Sequence, residues 1–237
     1  MKLVLTEEEQ FLKDTAKNFA EERCPITHFR YLRDNNDPNL WDKDIWKEMT
    51  VLGWPGILIP EEYGGSNFGI TGISVILEEC AKTLTPSPLF ATGVLGAFAI
   101  TNFGSEDQKK RWLPKLATAQ WIGAWGLTEH NTGSDAGGMS TTAFYDGQFW
   151  VLNGAKNFIT HAISGDIAVV IARTGEKGDS RGMTAFVVES GTPGLSSGKK
   201  EDKLGMRASE TAELIFDKCK VPNENILGKV GDGFVQA

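Results

Sequence analysis

At 237 residues, with 41% hydrophobic and 23% charged side chains, the chain can bury the core of one or two ordinary globular domains. A formal net charge of −7, with no basic block longer than Lys109-Lys110-Arg111, argues against a nucleic-acid surface. The three cysteines, Cys24, Cys80 and Cys219, are odd in number and widely separated, which points to buried thiols in a reducing compartment and away from a disulfide framework.

The N-terminal stretch turns acidic at Glu7-Glu8-Glu9, too early for a signal or Arg-rich transit peptide. No apolar run reaches bilayer length. The expectation is a cytoplasmic protein without a membrane span.

Residues 1–120 carry the 3.6-residue period of helices. Thr6 with Glu9 forms a capping box, and Phe11, Leu12, Thr15, Ala16 and Phe19 follow at helical spacing to about Arg23, where Pro25 stops the helix. Residues 31–40, with Asn35-Asn36-Asp37-Pro38, are polar and predict a loop. Lys43–Leu52 is a second helix ending near Gly53, and 53–69 is a Gly/Pro-rich connection. Ile70–Leu84 is a third helix, closed by Pro86 and Pro88. Leu89–Phe103 is almost wholly apolar, which predicts a helix buried all round. Ser105 caps a fifth helix running through Lys115 and Leu116, with Pro114 disturbing its last turn.

From Trp121 the period changes. Phe149–Val151, Ala168–Ala172, Met183–Val188 and Glu213–Phe216 are strand-like runs, separated by turn residues such as Asp146-Gly147 and Thr192-Pro193-Gly194. The fold class is therefore α+β and multi-domain: an N-terminal α-helical bundle over 1–120, then an antiparallel β-barrel or sandwich over 121–229. Residues 230–237 start a further helix.

Chemistry concentrates where the period changes. The apolar run Trp121–Trp125 empties into Gly126-Leu127-Thr128-Glu129-His130-Asn131-Thr132-Gly133-Ser134-Asp135, followed by Ala136-Gly137-Gly138. A loop of small and hydroxyl residues offers backbone N–H groups and short donors, and its glycines permit close approach and φ > 0. The plainer reading is a simple turn. Asn153-Gly154 predicts a tight turn feeding a strand on which Phe158 and Thr160 share a face and Ile159 faces away. An aromatic ring beside a hydroxyl can wall a planar conjugated ligand; the alternative is an ordinary amphipathic strand. His28, His130 and His161 show no ligand spacing, so no metal site is expected; His130 and His161 flank the two stretches and could line a site, but exposed loop positions are the expectation. Lys156 is expected to be a solvated strand residue. No nucleophile elbow surrounds Ser74, Ser87 or Ser209.

Together these stretches resemble the acyl-CoA dehydrogenases, a flavoprotein family. The middle-domain signature is matched by Gly126-Leu127-Thr128-Glu129 with Gly133-Ser134-Asp135, and the aromatic-Ile-Thr element by Phe158-Ile159-Thr160. Lys203-Leu204-Gly205-Met206-Arg207-Ala208-Ser209, Val221-Pro222 and Asn225-Ile226-Leu227-Gly228 resemble the end of the same domain. Pro60-Glu61-Glu62-Tyr63-Gly64-Gly65 and Gly104–Lys109 match the helical first domain. Departures are His130-Asn131 where Pro-Gly is common, Thr132 where a small residue is usual, and Phe158 where Trp is frequent.

The resemblance implies FAD as cofactor and α,β-dehydrogenation of an acyl-CoA thioester. It implies electron-transferring flavoprotein as the electron-accepting partner, and a homo-oligomer, commonly a tetramer. It further implies that Trp125, Leu127, Thr128, Gly133, Ser134, Phe158, Ile159 and Thr160 contact the cofactor, with Ser134 also near the CoA arm. Glu129 and Arg207 are expected in structural roles, Arg207 bracing the barrel, and Asp135 is expected to accept backbone N–H bonds. The family's base is a Glu of a third, helical domain, at positions beyond Ala237, so no catalytic residue is assigned here and the 237-residue chain is expected not to turn over alone. Two other readings stand beside this one: a non-catalytic subunit or flavin-binding module completed by a partner chain, and a flavin oxidase or monooxygenase on the same scaffold.

Overall fold

The structure is a computed structural model that describes residues 4–35, 41–176 and 178–237. Asn36-Asp37-Pro38 of the expected polar loop lie outside the described residues.

Helix α1 (Glu7–Arg23) starts where Thr6 Oγ1 accepts from Glu9 N at 3.2 Å and Glu9 Oε2 accepts from Thr6 N at 2.7 Å, the reciprocal capping box legible in the sequence. Pro25 does end this helix, but it is also the N-cap of a second one, α2 (Ile26–Asp34), so residues 31–34 are helical rather than loop. Proline is suited to a helix start because its missing N–H falls among donors that have no intrahelical acceptor. Helix α3 (Lys43–Val51) is capped by Asp42, whose carboxylate accepts from Asp44 N and Ile45 N. Helix α4 (Ile70–Lys82) packs its buried face, Ile73, Ile76 and Cys80, against Ala16 and Phe19 of α1.

The apolar stretch after Pro88 is not a regular helix buried all round. Phe90–Gly96 is π-helical and continues as α5 (Ala97–Phe103), and Phe90, Phe98 and Phe103 are 52%, 40% and 36% exposed. Inside the π turn, the buried Thr92 hydroxyl accepts from Gly123 N at 3.1 Å, fastening this helix to the first strand. Thr92→Val keeps the shape and orphans that N–H. We expect a loss of about 1–3 kcal/mol in urea unfolding with unchanged m-value; a loss below about 0.5 kcal/mol would show that the bond does not matter.

Helix α6 (Glu106–Ala117) has a second capping box, Ser105 with Gln108, and runs through Pro114 without breaking. It is the seam between helices and sheet. Gln108 Nε2 donates to the carbonyls of Glu224 and Ile226, both at 2.7 Å. Trp112 Nε1 donates to Glu189 Oε1 at 2.9 Å, and Arg111 pairs with the same carboxylate at 2.7 Å.

The strands are β1 (Gly123–Gly126), β2 (Thr142–Tyr145), β3 (Phe149–Thr160), β4 (Ile167–Arg173), β5 (Met183–Glu189), β6 (Leu195–Ser197), β7 (Thr211–Pro222) and β8 (Ile226–Leu227), followed by a short helix α7 (Gly233–Gln236). Their order is β6-β7-β3-β2-β4-β5-β8, with β1 attached to β4. The ends of this path do not pair, so of the two expected forms the open, sandwich-like one is found. Most pairings are antiparallel, but β1 and β2 each pair parallel with β4.

Strand β4 is buried along its whole length because both its faces are covered. Ile167, Val169 and Ile171 pack towards Trp112, Leu113 and Leu116 of α6, while Ala168, Val170 and Ala172 point into the sandwich with Phe186, Leu214 and Phe216. The hairpin β2–β3 turns at Asp146-Gly147, where the Asp146 carboxylate accepts from Gln148 N and Phe149 N. Asn153-Gly154, expected as a turn, lies inside β3. Gly154 is required there for another reason: φ is +137°, and a Cβ would stand 2.7–2.8 Å from Thr141 atoms. Among the described residues no helix is long and apolar enough to cross a membrane.

Candidate functional site

Strand β1 leaves the sheet into the loop 127–141, and the last third of β3 runs beside it. Three bonds join the two stretches. Asn157 N donates to the Thr128 carbonyl at 2.8 Å, Lys156 Nζ donates to the Leu127 carbonyl at 3.0 Å, and Lys156 Nζ pairs with Glu129 Oε1 at 2.7 Å. The structure therefore brings Trp125, Leu127 and Thr128 together with Phe158, Ile159 and Thr160. Gly133 and Ser134 lie farther out, at the exposed tip beyond the Glu129–Thr132 bridge.

Lys156 is not solvated: it is fully buried, and Glu129 is 5% exposed. Glu129 also accepts from Ser140 N (2.6 Å), Ser140 Oγ (2.7 Å) and Thr141 N (2.9 Å), so the loop's start and end close on one carboxylate. Burial pushes this carboxyl up, but the Lys156 ammonium, with Ser140 and Thr141, outweighs it and holds the group at about 2. A second buried cation grips the loop from the other side. Arg173 donates to the carbonyls of Gly137 (2.7 Å) and Met139 (3.1 Å), and also to those of Glu176 and Asp179. Neither clamp was expected from the sequence.

Several expectations are corrected here. Gly133, Gly137 and Gly138 are not in the left-handed region. At Gly138 a Cβ would meet two side-chain ends, Asp135 Oδ2 at 2.9 Å and Thr132 Cγ2 at 3.0 Å. The bond that braces the tip runs to the Asp135 carbonyl, from Gly138 N at 3.0 Å, rather than to its side chain. Arg207 is exposed and pairs locally with Asp202; it is Lys203 that ties this loop to the start of β7, reaching the Ser209 carbonyl and Thr211 Oγ1. His130 is exposed as expected, but His161 is 2% exposed.

Phe158 sits at φ +59°, at a register irregularity between Lys156 and Ile159, and is 61% exposed. A left-handed non-glycine residue costs roughly 1–3 kcal/mol and persists only where its surroundings hold it. Ile159 turns inward to the sandwich core, and Trp125 and Leu127 pack partly against the seam. These three residues therefore turn their side chains away from a ligand, while Thr128, Phe158 and Thr160 keep theirs for it.

Thr160 and His161 also line a cavity of about 410 Å³ between helices and sheet, with Leu77 and Cys80 of α4 and Phe90 and Ala91 of the π turn. This is the size and apolar character of a small-molecule site. A smaller cavity of about 200 Å³ inside the sandwich shares His161 with it. At the loop tip, no described acceptor takes the N–H groups of Gly133, Ser134 and Asp135, and Thr132 Oγ1 is enclosed without a partner. Free donors at a tip and an exposed ring beside a hydroxyl suit a planar ligand with an anionic tail. Among the described residues no three His, Cys, Asp or Glu side chains gather to hold a metal ion.

Residues 6–120 match the family model described as acyl-CoA dehydrogenase, N-terminal domain, and residues 124–219 the one described as acyl-CoA dehydrogenase, middle domain. The acryloyl-CoA reductase (NADH) of Anaerotignum propionicum is 40% identical over 238 residues, covering 99% of this chain and 59% of that protein. The structure of butyryl-CoA dehydrogenase from Megasphaera elsdenii superposes with a TM-score of 0.89 at 38% identity, over 100% of this chain and 62% of that one. An acyl-CoA dehydrogenase complexed with FAD from Bacillus anthracis superposes with a TM-score of 0.86 at 33% identity, over 98% of this chain and 40% of that one. The chain thus spans well under two thirds of the length of the relatives it matches.

Proposed function

This chain belongs to the acyl-CoA dehydrogenase family, and from that premise we propose that it forms the helical (1–120) and sheet (121–229) walls of a FAD site. That site would serve α,β-dehydrogenation of an acyl-CoA thioester. The observation that carries the reading is the contact of the two motif stretches, Asn157 N on the Thr128 carbonyl, beside an apolar cavity rimmed by Thr160. FAD, when bound, supplies the hydride acceptor.

The chain's own residues have four tasks. Thr128, with the backbone of Trp125 and Leu127, donates to the electron-rich end of the ring system, where negative charge collects on reduction. Phe158 covers a ring face, and Thr160 places a hydroxyl at its edge. The N–H groups of Gly133 and Ser134 meet the anionic tail and the CoA arm. Leu77, Phe90 and Ala91 exclude water from the acyl chain.

Glu129 is not the base. Its two oxygens are occupied by Lys156, Ser140 and Thr141, and at about 2 it is too acidic to take a proton from carbon. The base is therefore proposed to lie outside the residues of this chain, which would leave the isolated chain inactive. We further propose, on the strength of family membership, a homo-oligomer that passes electrons to electron-transferring flavoprotein; a cytoplasmic location is proposed on the early acidic stretch Glu7-Glu8-Glu9 alone.

Mixing the purified chain with FAD is expected to perturb the visible flavin band, and the Thr128→Val/Thr160→Val double variant to weaken binding about tenfold or more. A folded chain that leaves the flavin spectrum untouched would overturn the reading. Addition of butyryl-CoA is expected to leave the band unbleached; bleaching would mean that a base is present in these residues.

A further inference from the structure

His161 is a buried polar group that the proposed reaction leaves without a task. It follows Thr160 directly, lines both cavities, and holds a left-handed backbone with φ +60°. The backbone is held there from both sides: His161 N donates to the Glu210 carbonyl at 3.0 Å, and its own carbonyl accepts from Gly165 N at 2.9 Å.

The side-chain network fixes where the imidazole proton sits. The buried Glu210 carboxylate accepts from Ile163 N, from Ser164 N at 3.0 Å and from Ser164 Oγ at 2.9 Å. A hydroxyl has one hydrogen, and Ser164 gives it to Glu210. At 3.0 Å from His161 Nδ1, the Ser164 oxygen can then only accept, so Nδ1 carries the hydrogen and Nε2 carries a lone pair. Burial, and then the Lys203 charge, push the imidazole down to about 4, so the ring is neutral at physiological pH. Nε2 has no protein partner among the described residues. Nor is it sealed in, unlike the ring nitrogens of Trp41 and Trp46, which are enclosed without a hydrogen-bond partner among the described residues.

We infer that His161 is a specificity-determining hydrogen-bond acceptor, whose Nε2 receives an O–H or N–H of the ligand lying beside Thr160. The inference rests on the proposed function. The donor is either a hydroxyl of the flavin's ribityl chain or an amide N–H of the CoA arm. A ligand lacking a donor at that point leaves a buried acceptor unpaired and is disfavoured.

The test begins with 15N NMR of the histidine side chains in the free chain. Nε2 of His161 is expected in the unprotonated form; an Nε2–H tautomer overturns the inference with no ligand needed. Titrations with FAD and with butyryl-CoA follow. The Nε2 resonance is expected to move with one of them, FAD pointing to the ribityl hydroxyl and butyryl-CoA to the amide. His161→Leu is expected to weaken that probe about tenfold, while His161→Gln, which bears the same backbone strain but keeps an accepting oxygen, stays within about threefold of wild type. If the probes bind and Nε2 does not respond, the inference alone falls. If neither probe binds, the flavin reading falls and takes this inference with it.

Discussion

Lys156→Met is expected to destabilise the fold by about 3–5 kcal/mol at neutral pH, because it leaves the Glu129 carboxylate buried without its cation. The double variant Lys156→Met/Glu129→Gln is expected to be more stable than the single one, since both charges are then gone. Urea unfolding of the four proteins of this cycle measures the coupling. The pH dependence has a definite sign. The folded carboxyl stands at about 2, below its ordinary 4.5, so its contribution is complete above about pH 4.5 and is lost as pH falls towards 2. In Lys156→Met the orphaned carboxyl protonates far more readily. The gap between wild type and variant should therefore narrow on acidification. A gap that widens, or a single variant as stable as wild type, would show that the pair does not hold the loop.

Trp112→Ala is expected to cost a further about 3–5 kcal/mol, the range for removing a fully buried large side chain. Trp112 fills the seam against Val169 and Ile171, and its Nε1 donates to Glu189. Trp112→Phe keeps most of the volume, gives up that bond and should cost about 1–2 kcal/mol. Circular dichroism through a denaturant series is the measurement. A loss below about 1 kcal/mol for the alanine variant would mean that helices and sheet do not share this core.

Much of this was legible because it is local. The capping boxes at Thr6/Glu9 and Ser105/Gln108 involve residues three apart, and the Asp146-Gly147 turn is set by its own carboxylate and glycine. Strand β4 could be read as a continuous apolar run because both its faces are covered. What was not legible depends on partners distant in sequence. Lys156 reads as a surface lysine until Glu129, 27 residues earlier, is placed beside it. Gly154 reads as a turn until Thr141 is seen to pass against it. His161 reads as a loop residue until Glu210, from the start of the neighbouring strand β7, is placed against it. The helix over Ile26–Asp34 was missed for a different reason: the residue that ends one helix can equally open the next.

The double coverage of β4 also bears on how the chain is made. The apolar face of α6, Trp112, Leu113 and Leu116, packs on Ile59, Tyr63 and Ile100 of the helical part, but its cover is completed only when β4 and β5 arrive, as far as Val187. On a ribosome adding roughly 5–20 residues per second, that cover emerges several seconds after the helix it protects. Until then the nascent helical unit presents the sheet-facing part of this apolar surface to water. Within that interval the chain is most open to capture by a chaperone or by a neighbouring nascent copy, and pausing between residues 117 and 167 would lengthen its exposure.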